Sequence, residues 1–262
     1  MNPDLHLGHA AGAHFDASSA AGVAARFAVE SETVYEVECR GPDGELKWIE
    51  RCHNRVVTTG LNKLLDATFK TGLAAPAWYI GLVGASIIDA AITSGAAALT
   101  SASNPFVAAD AGRAIIVRGA AAANADLVTT ILSYTSAGAV TLAANAGTTV
   151  AGQSALWDAR AGDTSAAHGP WAEVTAYSEA NRQAFTAGTP AAGSVDNTAA
   201  RAVFTCNANN TLLGGLFLID NNTKGGATGT LYGMAPFSTV GFRQINSGDT
   251  LTVTATLTQT AT

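Results

Sequence analysis

Charged residues are scarce in this chain. They make up 13% of its 262 residues, about half the usual share in globular proteins. The 14 Lys and Arg residues are outnumbered by 20 Asp and Glu, which gives a net charge of −6, and they form no basic cluster. Binding to nucleic acid requires a basic surface that neutralises phosphates, so we expect no direct contact with nucleic acid. A neutral surface of Ala, Ser, Thr and Gly is suited to contact with other proteins.

Long apolar runs are also missing from the sequence. No stretch of about 18 apolar residues is available to cross a bilayer, so we expect no membrane partner. The first residues, Met1 to His6, have neither the basic start nor the apolar block of a signal peptide. We therefore expect synthesis in a cytoplasm.

Cysteines are few and odd in number. Cys39, Cys52 and Cys206 form no CxxC pair, which predicts neither a disulfide framework nor a structural zinc site. A Gly-Pro-Asp-Gly turn predicts a hairpin that places Cys39 opposite Leu46 and Cys52 opposite Thr33. At about 3.3 Å per residue, these two cysteines are then roughly 20 Å apart, which excludes a disulfide between them. We expect all three thiols to be reduced.

The composition divides the chain into an arm, a split core and an insert. Residues 1–32 are rich in Ala, Gly, Ser and His and are interpreted as an N-terminal arm that gains order on a neighbouring molecule. Residues 33–86 and 158–262 carry alternating strands and are interpreted as two halves of one β core domain. Residues 87–157, where charge nearly vanishes, are interpreted as an inserted β module.

Periodicity predicts one helix among many strands. Leu61, Leu64, Leu65, Thr68 and Phe69 fall on one helical stripe, which predicts the single clear α-helix over 59–69. Elsewhere, short runs of alternating Thr, Val, Leu and Ala are separated by turn residues about every ten positions. This pattern predicts a mainly β fold with a jelly-roll-like or β-sandwich core and one short α-helix, together with a small inserted β domain.

Few residues are suited to catalysis. The sequence contains no Gly-x-Ser-x-Gly nucleophile motif. Glu173 and Glu179 could supply the two carboxylates of a glycosidase, but acids are sparse, and a long parallel β-helix of the depolymerase type does not fit in this length. We expect a non-enzymatic protein with no catalytic residues.

The candidate metal ligands do not match the spacing or charge of a metal site. His6, His9 and His14 match no standard metal spacing, which favours a solvated arm. Asp220-Asn221-Asn222-Thr223 offers oxygen ligands, as a calcium loop does, but its single charge and its Asx residues favour a turn. His168, beside Gly169, is interpreted as a hydrogen-bonding residue of a loop. We expect no metal and no cofactor.

The tryptophans leave a second kind of site open. Trp78 lies in an apolar strand and is interpreted as a core residue. Trp157 and Trp171 lie near loops, where their rings could stack on sugars in a glycan-binding module. Packing in the core or at a subunit interface is the favoured alternative for both.

Several motifs carry a family resemblance. They are NRVVTTGLNKLLD (54–66), WYIGLV (78–83), GDTSAAHGPW (162–171), DNNTKGG (220–226) and GDTL (248–251). Together they resemble a family of tailed-bacteriophage virion structural proteins over roughly residues 34–83 and 158–258. In other members the WYIGLV strand runs almost directly into the GDT motif, whereas roughly seventy residues are inserted here. The insert, with FVAADAGRAI (106–115), LVTTI (127–131) and VTL (140–142), is similar to small β modules of phage tailspikes and tail fibres.

The resemblance implies a non-enzymatic virion protein and supplies no catalytic residues. Our first expectation is a capsid decoration or cement protein that binds the outside of the head and bridges shell subunits. Its partners are then the major capsid protein or other virion proteins and further copies of itself, as a homotrimer. Its location is the virion, after synthesis in the host bacterial cytoplasm. The alternative is a tail-fibre or head-fibre component that binds host surface glycans.

Overall fold

The structure is a computed structural model that describes residues 29–72, 74–169 and 171–261. Over these ranges the chain is mainly β, with 46% strand and 9% helix, and it has a single α-helix. The expected mainly β fold with one short helix is therefore confirmed. Of the expected arm, residues 1–32, the first 28 residues lie outside the described residues. Residues 29–32 belong to the first strand.

The first part of the chain contains β1 (Val29–Arg40), β2 (Leu46–His53), β3 (Arg55–Val56), α1 (Thr58–Phe69) and β4 (Trp78–Val83). The middle part contains β5 (Ile87–Ile92), β6 (Ala98–Thr100), β7 (Ala114–Val117), β8 (Leu127–Ser136), β9 (Ala139–Leu142) and β10 (Val150–Trp157). The last part contains β11 (Glu173–Val174), β12 (Gln183–Phe185), β13 (Ser194–Asp196), β14 (Ala202–Thr205), β15 (Thr211–Leu213), β16 (Gly215–Ile219), β17 (Leu231–Pro236), β18 (Arg243–Ile245) and β19 (Thr250–Ala261).

Two large sheets and a two-stranded sheet of β15 and β18 form the larger lobe. Sheet I has the order β13-β19-β1-β2, with β14 also paired to β19. Sheet II has the order β11-β4-β16-β17-β3, with β12 also paired to β4. Because inward side chains of both sheets share one apolar cluster, this lobe is a β-sandwich.

Alternating side chains account for the pairing of β1 with β19 in sheet I. Val37 lies opposite Val253 and Cys39 lies opposite Leu251, and all four side chains are fully buried. The other face of β19 carries threonines, whose β-branched side chains suit a half-exposed strand. A slip of one residue would turn the apolar face to water, so burial fixes this register.

The β1–β2 hairpin corrects the expected register. Cys39 lies opposite Trp48 and Cys52 lies opposite Tyr35, two residues away from the expected partners. The turn pairs Arg40 with Leu46, which already shifts the register by one residue, and a bulge next to Cys39 shifts it by one more. Counting outward from the turn does not include such an irregularity. All three cysteines are nonetheless free and buried.

The smaller lobe is a closed barrel built from residues 87–157. Its six strands follow the order β10-β5-β6-β9-β8-β7 and return to β10. It has its own apolar cluster, in which the rings of Phe106 and Trp157 lie 5.0 Å apart. Closure pairs every strand on both sides, so the barrel presents no free sheet edge.

Polar contacts connect the barrel to the sandwich. Arg160 donates from Nε to Asp110 Oδ1 at 2.6 Å and from Nη2 to Asp110 Oδ2 at 2.9 Å. Asp110 is fully buried, and a buried carboxylate requires such a partner. On another side of the barrel, Asp126 Oδ2 accepts the Phe242 N–H at 2.7 Å. The two lobes are thus held together by groups that would be costly to separate from one another.

Helix α1 packs on sheet II through its buried glycine and not through the exposed Leu61 and Leu65. Gly60 is the buried residue of the helix, and Thr59 Oγ1 donates to the carbonyl of Leu231 at 3.0 Å. The Val57 N–H donates to the Tyr232 carbonyl at 2.9 Å, just before the helix begins. No helix in the described ranges has the length and hydropathy needed to span a bilayer.

Candidate functional site

An exposed apolar stripe runs along α1. Leu61, Leu65 and Phe69 occupy one line of the helix at intervals of four residues and are 43%, 55% and 78% exposed. We call these three residues the α1 stripe. An amphipathic helix ordinarily turns such a stripe toward the core, but here it points to solvent. A contiguous apolar row at a surface is typical of a protein–protein contact.

The orientation of the stripe follows from what holds the opposite side of α1. A Cβ at Gly60 would lie 2.4 Å from the carbonyl oxygen of Tyr232, so the helix approaches β17 more closely than any larger residue allows. Lys63 Nζ lies 3.2 Å from Asp220 Oδ2 and ties the next turn to the loop after β16. With these contacts in place, Leu64 is half-buried at the edge of the core, and the α1 stripe faces outward.

A second feature is a cavity of about 230 Å³ beside sheet II, which both polar and apolar residues line. His168, Trp171, Glu173 and Arg182 line it, together with the backbone of Gly225 and Gly226. The His168 ring stacks on Trp171 with centroids 3.9 Å apart and planes 19° apart. The His168 Nδ1 lies 2.7 Å from the Gly169 carbonyl, as the sequence-based interpretation of a loop hydrogen bond predicted.

Arg182 uses its guanidinium to hold this cavity together. Its Nε lies 3.0 Å from Glu173 Oε1 and its Nη2 lies 2.7 Å from Glu173 Oε2. The Nη1 donates to the Asn221 carbonyl at 3.0 Å, and Nη2 also donates to the Gly226 carbonyl at 2.7 Å. The arginine side chain is almost fully buried. It therefore joins β11 to the 220–226 loop as a structural anchor.

The two candidate carboxylates have separate structural partners. Glu173 pairs with Arg182 and accepts the Gly225 N–H at 2.9 Å. Glu179 accepts the Thr205 N–H with both carboxylate oxygens, at 3.1 and 3.0 Å. Each carboxylate closes a different loop, so these contacts give the pair no shared catalytic position.

The two tryptophans suggested for glycan contact are not on the surface. Trp157 is 2% exposed and lies inside the barrel against Phe106, and Trp171 is 6% exposed and packs on Phe217 at a centroid distance of 5.0 Å. These positions agree with packing in the core, the interpretation that the sequence favoured, and leave neither ring the open face that stacking on a sugar needs. Trp78 is only partly buried and packs against Tyr232 at 5.5 Å.

The 220–223 segment forms a turn. Asp220 Oδ1 accepts the Thr230 N–H, and Asn221 Oδ1 accepts the Thr223 N–H at 2.8 Å, which is an Asx turn. Among the described residues, no group of three or more His, Cys, Asp or Glu side chains is arranged to hold a metal ion. His6, His9 and His14 lie outside the described residues.

The thiols are buried in a way that suppresses their reactivity. Burial raises the pKa of the Cys39 thiol to about 11, with a further contribution from the charge of Asp249. Burial also raises the pKa of Cys206 to about 12 and that of Cys52 well above its ordinary value. Because the thiolate is the nucleophile, none of the three is prepared for catalysis at neutral pH.

Sequence reasoning missed Arg182 and the outward direction of the α1 stripe. Arg182 finds its partners nine and about forty residues away, so no local pattern identifies it. Gly60 did carry a signal, because a glycine inside a helix often marks a close approach of another backbone.

No protein-family model, curated protein or solved structure matches the chain.

Proposed function

We propose that this protein is a non-enzymatic structural protein of a tailed-bacteriophage virion, which decorates the outside of the head. The observation that carries the proposal is the α1 stripe, where Leu61, Leu65 and Phe69 are all more than two-fifths exposed. Such a row is costly to leave in water and gains most by docking on another protein. Leu61 and Leu65 lie within the NRVVTTGLNKLLD motif (54–66), and Phe69 lies three residues after it. The same motif carries part of the family resemblance.

The low charge of the chain supports the same role. A net charge of −6 with 13% charged residues leaves much of the surface neutral, which reduces repulsion between many copies on one shell. The docking partner is then the major capsid protein or another virion protein. Self-association as a homotrimer would let one assembly bridge several shell subunits.

The shape of the molecule also fits decoration. The sandwich carries α1, whereas the barrel is a separate lobe with closed edges and its own core. A closed barrel resists edge-to-edge pairing between neighbouring copies. We propose that the sandwich faces the shell and that the barrel projects outward.

The roles of the acidic residues support a mechanical rather than a chemical function. Glu173 and Glu179, the acids that a glycosidase would need, are bound to Arg182 and to the Thr205 N–H. A general acid must be free to exchange a proton with substrate. These contacts instead stabilise loops of the sandwich.

Copy number in purified particles tests the proposal. We expect hundreds of copies per virion by quantitative gel or mass spectrometry, and particles made without the protein should lose heat stability but still adsorb to cells. About a dozen copies, with loss of adsorption, would instead support the fibre alternative. Absence of the protein from particles would contradict a virion role altogether.

A further inference from the structure

A groove lies between the barrel and the two-stranded sheet of β15 and β18, and its volume is about 400 Å³. The residues that line it include Arg118, Asn124 and Asp126 of the barrel and Leu212, Val240, Phe242 and Gln244 of the larger lobe. We call it the lobe groove. Its wall on the larger lobe is mainly apolar, and Val240 in that wall is 41% exposed. Exposed apolar walls of this kind are typical of surfaces that another protein covers.

Arg118 gives the lobe groove a positive charge without a partner among the described residues. Of the Lys and Arg side chains that the structure describes, only Arg118 and Arg201 have neither an ion pair nor a hydrogen bond. Arg201 is exposed, whereas Arg118 is half-buried. Asp126 lines the same groove, but its carboxylate accepts the N–H groups of Gly119 and Phe242 at 3.0 and 2.7 Å. A cation that is partly removed from water is stabilised by an incoming carboxylate.

Carboxylates of this kind lie at the turn of the β1–β2 hairpin. Of the acidic side chains that the structure describes, only Asp43 and Glu45 have neither an ion pair nor a hydrogen bond. Both are exposed, and the next residue, Leu46, is 49% exposed. We call these three residues the hairpin tip. It combines two unpaired carboxylates with an apolar side chain, which complements the charge and the apolar wall of the lobe groove.

We propose that the hairpin tip of one copy of this protein occupies the lobe groove of a second copy. A carboxylate of Asp43 or Glu45 pairs there with Arg118, and Leu46 packs on the apolar wall. Strands β1 and β2 hold the tip where neither carboxylate forms an ion pair with Arg118 of its own chain, so the contact joins separate copies. The turn is preformed, because the Gly41 N–H donates to the Glu45 carbonyl at 2.9 Å. A preformed segment loses little conformational freedom on binding.

The contact is heterologous, because the tip and the groove are different surfaces and each copy carries both. Repeated contacts of this type close into a ring when the rotation between copies allows it. A single contact of this size is weak, but copies attached to one shell hold it more firmly, since their effective concentration is high. The inference specifies the self-association in the proposed function, and it rests on that function only for its place on a particle.

Charge reversal in the purified protein tests the contact, with sedimentation velocity as the measurement. We expect the wild type to associate at concentrations below about 1 mM. Arg118→Glu should weaken association at least about tenfold, and so should Asp43→Lys with Glu45→Lys, because each brings like charges together. Arg201→Glu, which reverses the other unpaired arginine, is the matched control and should associate normally. A monomeric wild type, or reversals that associate as the wild type does, would overturn the proposal.

Combining the reversals tests whether the tip and the groove meet each other. All three substitutions in one chain place opposite charges across the contact again, so association should return to within about threefold of the wild type. Misfolding cannot produce such a recovery, and urea midpoints check the stability of each variant. If the combined variant associates as weakly as the separate reversals, the tip is not the occupant of the groove. Because no particles are used, this result and the copy number in virions can fail independently.

Discussion

Gly60 of α1 lies against the backbone of Tyr232 so closely that a Cβ at position 60 would come within 2.4 Å of the Tyr232 carbonyl oxygen. The contact joins backbone to backbone, so no rotamer change can relieve a larger side chain. It decides which side of the helix meets the sandwich, and therefore which side stays exposed.

Replacing Gly60 with alanine is expected to destabilise the fold. Alanine favours a helix over glycine by about 1 kcal/mol, but the clash with Tyr232 should outweigh this gain. We expect a net loss of about 1–2 kcal/mol in the free energy of unfolding, measured by urea titration. Gly162→Ala is the matched control, since a Cβ there meets no heavy atom within 4 Å. Equal stabilities of the two variants would contradict the close approach.

Polar substitutions in the α1 stripe are expected to separate binding from folding. Because Phe69 is 78% exposed, Phe69→Ser should change the free energy of unfolding by no more than about 0.5 kcal/mol. Binding to particles made without the protein should weaken at least about tenfold. Ile88→Ser, at an equally exposed position on the barrel (76%), is the control and should bind normally. Normal binding by Phe69→Ser would exclude the stripe as the docking surface.

Glu173→Gln is expected to impair stability. The change leaves the buried Arg182 guanidinium without its counter-ion, which should cost about 3 kcal/mol in chemical denaturation. Removing both charges together, as Arg182→Met with Glu173→Leu, should cost less, because no unpaired charge remains buried. If the double variant is the less stable of the two, the ion pair is itself a net source of stability and this expectation is wrong.

The buried thiols predict a loss of stability at alkaline pH. In the unfolded chain a cysteine ionises near its ordinary pKa of 9.0, whereas folding raises the pKa of Cys39 to about 11 and that of Cys206 to about 12. The unfolded state thus releases protons first, so this contribution is complete below about pH 9 and is lost as pH rises toward 11. Urea midpoints at pH 8 and pH 10.5 measure the loss. Between these two pH values the urea midpoint of Cys206→Ala should fall by less than that of the wild type. An identical fall would show that groups other than Cys206 cause the loss of stability.

The local pattern of apolar and polar residues was enough to predict the class of fold. Inward Val37, Leu251 and Val253 alternate with outward polar residues, and a period of two specifies strands whatever the neighbouring element is. The stripe spacing likewise specifies a helix, which the structure has over Thr58–Phe69. The hairpin register was not predictable in this way: a bulge beside Cys39 contributes one residue of the two-residue shift, and a bulge depends on the pairing of both strands.

The sequence by itself determined the class of fold, its single helix and the residues that share a face in the regular strands, because periodicity is a property of neighbouring positions along one strand or helix. Only the tertiary structure decided what each face meets. It turned the α1 stripe to solvent through the contact of Gly60 with Tyr232, and it enclosed Trp157 inside the barrel. Burial depends on residues far apart in the chain, and such contacts exist only when the whole fold has formed.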